Sequence, residues 1–102
     1  MKNKSYKLAK LERNRYSVFH DGKKCYLCNS EYQLTWDEIF KGRNRKNSMQ
    51  YGFCIRLRFT CHRSINEDYD YINYWQKKSQ EYFETHYGSR DDFLSIFYKN
   101  YL

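Results

Sequence analysis

The chain reads as an α+β domain, and three stretches of its sequence carry that reading. Across residues 51–59 apolar and polar side chains alternate, the period of a half-buried strand. From residue 67 to about 86 apolar residues recur every three to four positions, the period of a helix packed on one side. A further helical stretch closes the chain, opened by Ser89-Arg-Asp-Asp92, the [ST]-x-x-[DE] pattern of a capping box. The 102 residues contain no proline, no Gly/Ser-rich linker and no repeat, so a single domain over 1–102 is expected.

Residues 1–15 form a basic N-terminal arm, in which Leu8 and Leu11 among charges fit a short helix or an unstructured segment equally well. Residues 15–19 alternate like a strand, and Asp21-Gly22 supplies a turn after them. Residues 16–66 hold a two-cysteine knuckle at Cys25-Tyr-Leu-Cys28, the strands, and a basic loop over 41–46 whose glycine and asparagines suit a turn. In the strand over 51–59, Phe53, Ile55, Leu57 and Phe59 take the core face, and Cys54, Arg56 and Arg58 take a basic one. Residues 67–102 read as a helical scaffold. Asn66 is placed to cap its first helix, which turns Tyr69, Ile72, Trp75 or Gln76, Ser79, Tyr82, Phe83 and His86 inward, with Gly88 as its stop. The last helix turns Phe93, Leu94, Phe97, Tyr98 and Tyr101 inward.

Aromatic residues are 21% of the chain, with twelve Tyr and seven Phe, and aliphatic residues are few, so the core must be built from rings. No apolar run approaches the twenty residues that span a bilayer, and no apolar segment follows the basic start as in a signal peptide. The expected location is therefore the cytoplasm, with no membrane partner. In that reducing setting four cysteines point to metal ligation or free thiols before disulfides.

The net charge of +7 is unevenly placed. Residues 1–64 hold fifteen Lys/Arg against five Asp/Glu, or +10, and residues 65–102 hold four against seven, or −3. A polyanion, in the first place DNA, is the partner that such a half favours; the alternative is a solvated basic surface. Lys41, Arg43, Arg45, Lys46, Arg56 and Arg58 are the candidate nucleic-acid contacts, of the kind that grip phosphate without reading sequence.

Two residues between Cys25 and Cys28 let both sulfurs reach one tetrahedral ion, which is half of a zinc site. A second pair would be completed by Cys61, yet the residue three before it is Arg58, which cannot ligate zinc. Cys54 or His62 is left as the fourth ligand. The competing expectation is that Cys54 and Cys61 are ordinary buried thiols and no metal is held. His20, before a turn, and His86, at a helix end, read as ordinary surface or cap residues.

Several blocks of the chain are similar to a family of small phage and prophage proteins described as HNH-like nucleases. They are Leu11-Glu-Arg-Asn-Arg-Tyr-Ser17, the Cys25–Cys28 knuckle, Glu38-Ile-Phe-Lys-Gly-Arg-Asn-Arg-Lys-Asn-Ser48, Tyr51-Gly52, Cys61-His62 and the terminal Phe93 to Leu102. The resemblance implies a ββα-metal core, two strands and a helix around a catalytic ion, often with a structural zinc beside it. In such a site a general base activates water and one divalent cation neutralises charge on the phosphate. It implies Asp37 and His62 as ligands of Mg or Mn and Glu38 as the base. The departures fall where the chemistry lies: relatives carry His-Glu or His-His where Asp37-Glu38 stands, the second knuckle lacks a cysteine, and no later histidine follows in 64–71. A carboxylate is a weaker base than an imidazole near neutrality, so the pattern suits a retained scaffold better than a working enzyme. The expected function is therefore an HNH-like nucleic-acid-binding protein with a degenerate nuclease site. The alternatives are an active metal-dependent endonuclease, and a phage-encoded inhibitor that grips a host defence or recombination protein.

Overall fold

The computed structural model describes residues 6–102, so residues 1–5 of the basic arm lie outside the described residues. Within them are five α-helices and one two-stranded antiparallel sheet. The order is α1 (Tyr6–Arg13), β1 (Leu34–Glu38), a 3-10 turn (Gly42–Asn44), α2 (Arg45–Tyr51), β2 (Cys54–Arg58), α3 (Phe59–Ile65), α4 (Tyr69–His86) and α5 (Arg90–Phe97). This bears out the α+β class. No described helix is long and apolar enough to cross a membrane.

The partner of β2 is not the alternating stretch over 15–19. Strand β1 pairs with it instead, in a register that sets Leu34 against Arg58, Trp36 against Arg56 and Glu38 against Cys54. The 15–19 stretch contributes one backbone bond, from the Val18 N–H to the Gly52 carbonyl at 2.9 Å, and the Tyr16 hydroxyl donates to Gln50 O at 3.0 Å. Tyr16 and Val18 close instead over Gly52, the left-handed residue (φ 76°) that ends α2, and a side chain at Gly52 would collide with both.

Strand β2 is shorter than the alternation implied, because Tyr51 belongs to α2 and Phe59 opens α3 with its ring exposed. Phe53, Ile55 and Leu57 are fully buried as expected, but Cys54 is buried too, so only Arg56 and Arg58 make its second face polar.

The basic loop over 41–46 is also more structured than its composition implied. Buried Asn44 donates to Phe97 O at 2.9 Å and Asn47 to Ile96 O at 3.1 Å, so two asparagines satisfy carbonyls at the C-terminal end of α5.

Asp68, not Asn66, caps α4, accepting from the Tyr71 N–H at 3.0 Å, while Asn66 terminates α3. The Ser89 capping box is present in full. Trp75, Ser79 and Phe83 face inward from α4, whereas Tyr69 and His86 are exposed. Phe93 and Phe97 are buried, and Tyr98 is an exposed left-handed cap rather than a core residue.

The core is a cluster of rings. Phe53 lies within 6.3 Å, centroid to centroid, of Phe19, Phe40, Tyr51, Tyr82, Tyr87 and Phe97, and such pairs add about 0.5–1.5 kcal/mol each beyond their burial. At the other end of α4, buried Trp75 stands 5.0 Å from Phe19 and 5.2 Å from Tyr26 of the cysteine knuckle.

Candidate metal centre and carboxylate site

The sequence Cys25-Tyr-Leu-Cys28-Asn29 folds as a tight knuckle. The Asn29 N–H returns to the Cys25 carbonyl at 2.9 Å, and Asn29 itself is left-handed (φ 65°), a conformation asparagine tolerates better than most side chains. The Cys25 N–H donates to Ser30 O at 2.8 Å and the Tyr26 N–H to Arg56 O at 2.9 Å, which fastens the knuckle beside β2. Cys61 comes from the first turn of α3, directly after β2 ends.

The sulfurs of Cys25, Cys28 and Cys61 consequently all lie within 4.8 Å of one another. A tetrahedral ion with bonds of about 2.3 Å sets its sulfurs about 3.8 Å apart, so a small contraction makes this cluster a ligand set. Burial pushes the Cys25 thiol up, but backbone N–H groups of Arg58, Cys28 and Leu27 outweigh it and bring the pKa down to about 7. Burial and the two neighbouring thiols push Cys61 up to about 11. The knuckle thus eases ionisation of one thiol, and metal binding would release the remaining protons.

Neither expected fourth ligand joins the cluster. Cys54 lies four residues along the extended strand from Arg58, roughly 13 Å at about 3.3 Å per residue. Its thiol points to Ser48 O at 3.8 Å, and burial, with Glu38 nearby, pushes it up to about 12. His62 has both ring nitrogens engaged, Nδ1 at 2.9 Å from Thr35 Oγ1 and Nε2 at 3.3 Å from Asp37 Oδ1.

The expected catalytic residues are divided by the pleat. Adjacent residues of a strand point to opposite faces, so Asp37 and Glu38 cannot share a site although they are neighbours in sequence. Asp37 faces α3, where it meets His62 and the Lys41 ammonium; the same ammonium donates to Glu38 O at 2.9 Å. Burial alone would raise the Asp37 carboxyl, but the His62 hydrogen bond and the Lys41 charge hold it below its ordinary value.

Glu38 faces α1 and α2. Arg45 Nε donates to its Oε1 at 2.6 Å, Arg45 Nη2 reaches Glu12 at 2.5 Å, and Arg15 stands 4.0 Å from Glu38 and 3.5 Å from Glu12. Two arginines and two glutamates thereby tie α1, β1 and α2 together.

The expected phosphate-gripping residues separate in the same way. Lys41 and Arg45 each make internal ion pairs, with the Lys41 side chain still 53% exposed. The Arg43 guanidinium lies 3.8 Å over Tyr98 and that of Arg56 4.7 Å over Trp36, while Nε of both Arg56 and Arg58 is buried without a protein partner. Lys46 is exposed on α2, and Lys7, Lys10 and Arg13 are exposed on α1, the helix packed against it.

Glu12, Arg15 and Thr35 are site residues that the sequence reading did not single out. Thr35 carried one usable signal, standing two residues before Asp37 and hence on the same strand face.

Asp37 gives a pH prediction. A carboxyl whose folded pKa is depressed adds stability that is complete above its unfolded value, about 3.9, and is lost as pH falls through the lower folded value. Acid denaturation of the wild type should therefore steepen below about pH 4, and Asp37→Asn should flatten the dependence there; equal slopes for both proteins would show that Asp37 gains nothing from its partners.

No family model, no curated protein and no solved structure matches this chain.

Proposed function

We propose that this chain is a small nucleic-acid-binding module, stapled by zinc, whose ββα frame retains the layout of an HNH-like nuclease without its chemistry. The observation that supports this best is the state of the two acidic residues. Asp37 is occupied by Lys41 and His62, and Glu38 is on the opposite face under Arg45. A lysine ammonium thus stands against the carboxylate that would hold a divalent cation, and Glu38, the expected base, does not share a face with it. Removing a positioned general base costs on the order of a hundred- to ten-thousand-fold in rate.

Three thiolates are a donor set suited to zinc, and their ion would join the knuckle to α3. Binding would then rest on the exposed cations of α1 and α2, Lys7, Lys10, Arg13 and Lys46. Each phosphate they neutralise releases condensed counterion.

The expected result is little or no plasmid nicking with Mg or Mn, together with duplex binding that weakens steeply as salt rises. Lys7→Ala, Lys10→Ala and Lys46→Ala combined should reduce binding about equally on unrelated sequences and shallow the salt slope by about three. Nicking abolished by both Glu38→Gln and His62→Ala would establish the enzyme instead.

A second reading has its own support. Phe19, Tyr26, Tyr74, Trp75, Tyr82 and His86 line an open groove of about 400 Å³ beside Lys78 and Glu81. Its near-balanced charge suits a protein segment better than a polyanion, as expected of a phage inhibitor of a host protein. Absence of nucleic-acid binding even at low salt would favour it.

A further inference from the structure

We propose that a metal ion held by Cys25, Cys28 and Cys61 keeps its fourth coordination position open to an external donor, a thiolate or an imidazole nitrogen. The inference rests on the metal reading above and goes beyond it, because it makes the centre a site of ligand exchange instead of a closed staple. Structural zinc sites close with four protein ligands, whereas sites with three keep an exchangeable position.

Three observations leave the position unfilled. No fourth His, Cys, Asp or Glu among the described residues belongs to the cluster, and residues 1–5, Met-Lys-Asn-Lys-Ser, contain none of these types. Cys54 points to Ser48 at the far end of β2, His20 accepts the Arg56 N–H through Nε2 at 3.0 Å, and Asp21 and Glu31, which line a pocket with Cys25, stand outside the sulfur cluster. Turning His62 toward the sulfurs would take it from Thr35 and from Asp37, which is only 3% exposed and would lose one of its two side-chain partners.

An external donor also has a way in. Cys25 is buried, but Cys28 is exposed and Cys61 half-exposed, so the cluster opens to solvent on the Cys28 side. Arg58 stands in sequence where the fourth cysteine of a paired knuckle would be, and its guanidinium cannot ligate the ion. The sulfur environment favours soft or borderline donors at the remaining position, which is why a thiolate or an imidazole is the ligand class.

The test is cobalt spectroscopy on the full chain. One equivalent of Co(II) should give tetrahedral d–d bands with thiolate charge transfer, and adding imidazole or 2-mercaptoethanol should shift the d–d envelope along a saturable one-site isotherm. The shift should be the same in wild type, Cys54→Ala and His62→Gln. A spectrum indifferent to both added ligands, or one already altered by Cys54→Ala or His62→Gln, would show that the protein fills the position itself and would overturn the proposal. Failure of the folded chain to take up Co(II) at all would overturn the metal reading on which it rests. Neither result touches nucleic-acid binding, which is measured separately.

Discussion

If Cys25, Cys28 and Cys61 hold an ion as proposed, chelating it is expected to lower the melting midpoint by roughly 15–30 °C, and Cys25→Ser should lower it comparably and abolish the response to chelator. An ion present at a thousand times its dissociation constant stabilises the folded state by about 4 kcal/mol, and a domain of this size loses about 4–8 °C for each kcal/mol. The effect would be large here because Cys25 is buried in the hydrophobic cluster while its loop carries little regular structure. An ion that also binds Cys61 converts that loop into part of the α3 packing. Cys54→Ala is the control: it removes a small buried side chain and should cost only about 1–2 kcal/mol, leaving the chelator response intact. Melting monitored by circular dichroism with and without chelator decides the matter. A wild type that melts identically in both conditions would have no metal in its fold.

Phe53→Ala should cost about 3–5 kcal/mol, the range for deleting a fully buried ring. Phe53 is in ring contact with six aromatic side chains drawn from the 15–19 loop, the β1–α2 connection, α2, α4 and α5, so its loss opens a cavity that several elements border. Domains of this kind have only about 5–15 kcal/mol in total, and the variant should be substantially unfolded at moderate urea concentrations where the wild type is intact. Phe59→Ala, at a 52%-exposed position six residues on, should change stability by less than about 0.5 kcal/mol. Comparable urea midpoints for wild type and Phe53→Ala would mean that the ring cluster is not what holds the elements together.

The parts of the fold legible in the sequence are those whose signals are local. The Ser89 box, the end of α4 at His86 and the buried run Phe53, Ile55 and Leu57 each depend on spacings of two to four residues. The knuckle was legible because Cys-x-x-Cys constrains its own turn, and Cys61 because the chain returns to the knuckle at the end of β2.

Strand β1 was not legible. Leu34-Thr-Trp-Asp-Glu38 is short and half polar, and it is a strand only because β2, twenty residues later, supplies the ladder. Residues 15–19 alternate better, yet their side chains are spent on covering Gly52. The roles of Arg45 and Lys41 were hidden for a different reason: a cation on the page looks the same whether its partner is a phosphate or a buried carboxylate. Arg45 finds Glu12 thirty-three residues away, a separation on which no local pattern reports.

The position of Trp75 gives the protein a spectroscopic consequence. The two tryptophans sit in unlike surroundings, Trp75 buried against Tyr26 of the knuckle and Trp36 half-buried under the Arg56 guanidinium. Light absorbed by the surrounding tyrosines drains toward Trp75, whose emission belongs at the blue end of the indole range, while Trp36 emits from beside a charge. Any event that reshapes the knuckle moves Tyr26 and alters the Trp75 signal. Steady-state fluorescence of the unlabelled chain, with Trp36→Phe isolating the second indole, is therefore a built-in optical readout of what happens at the three thiols.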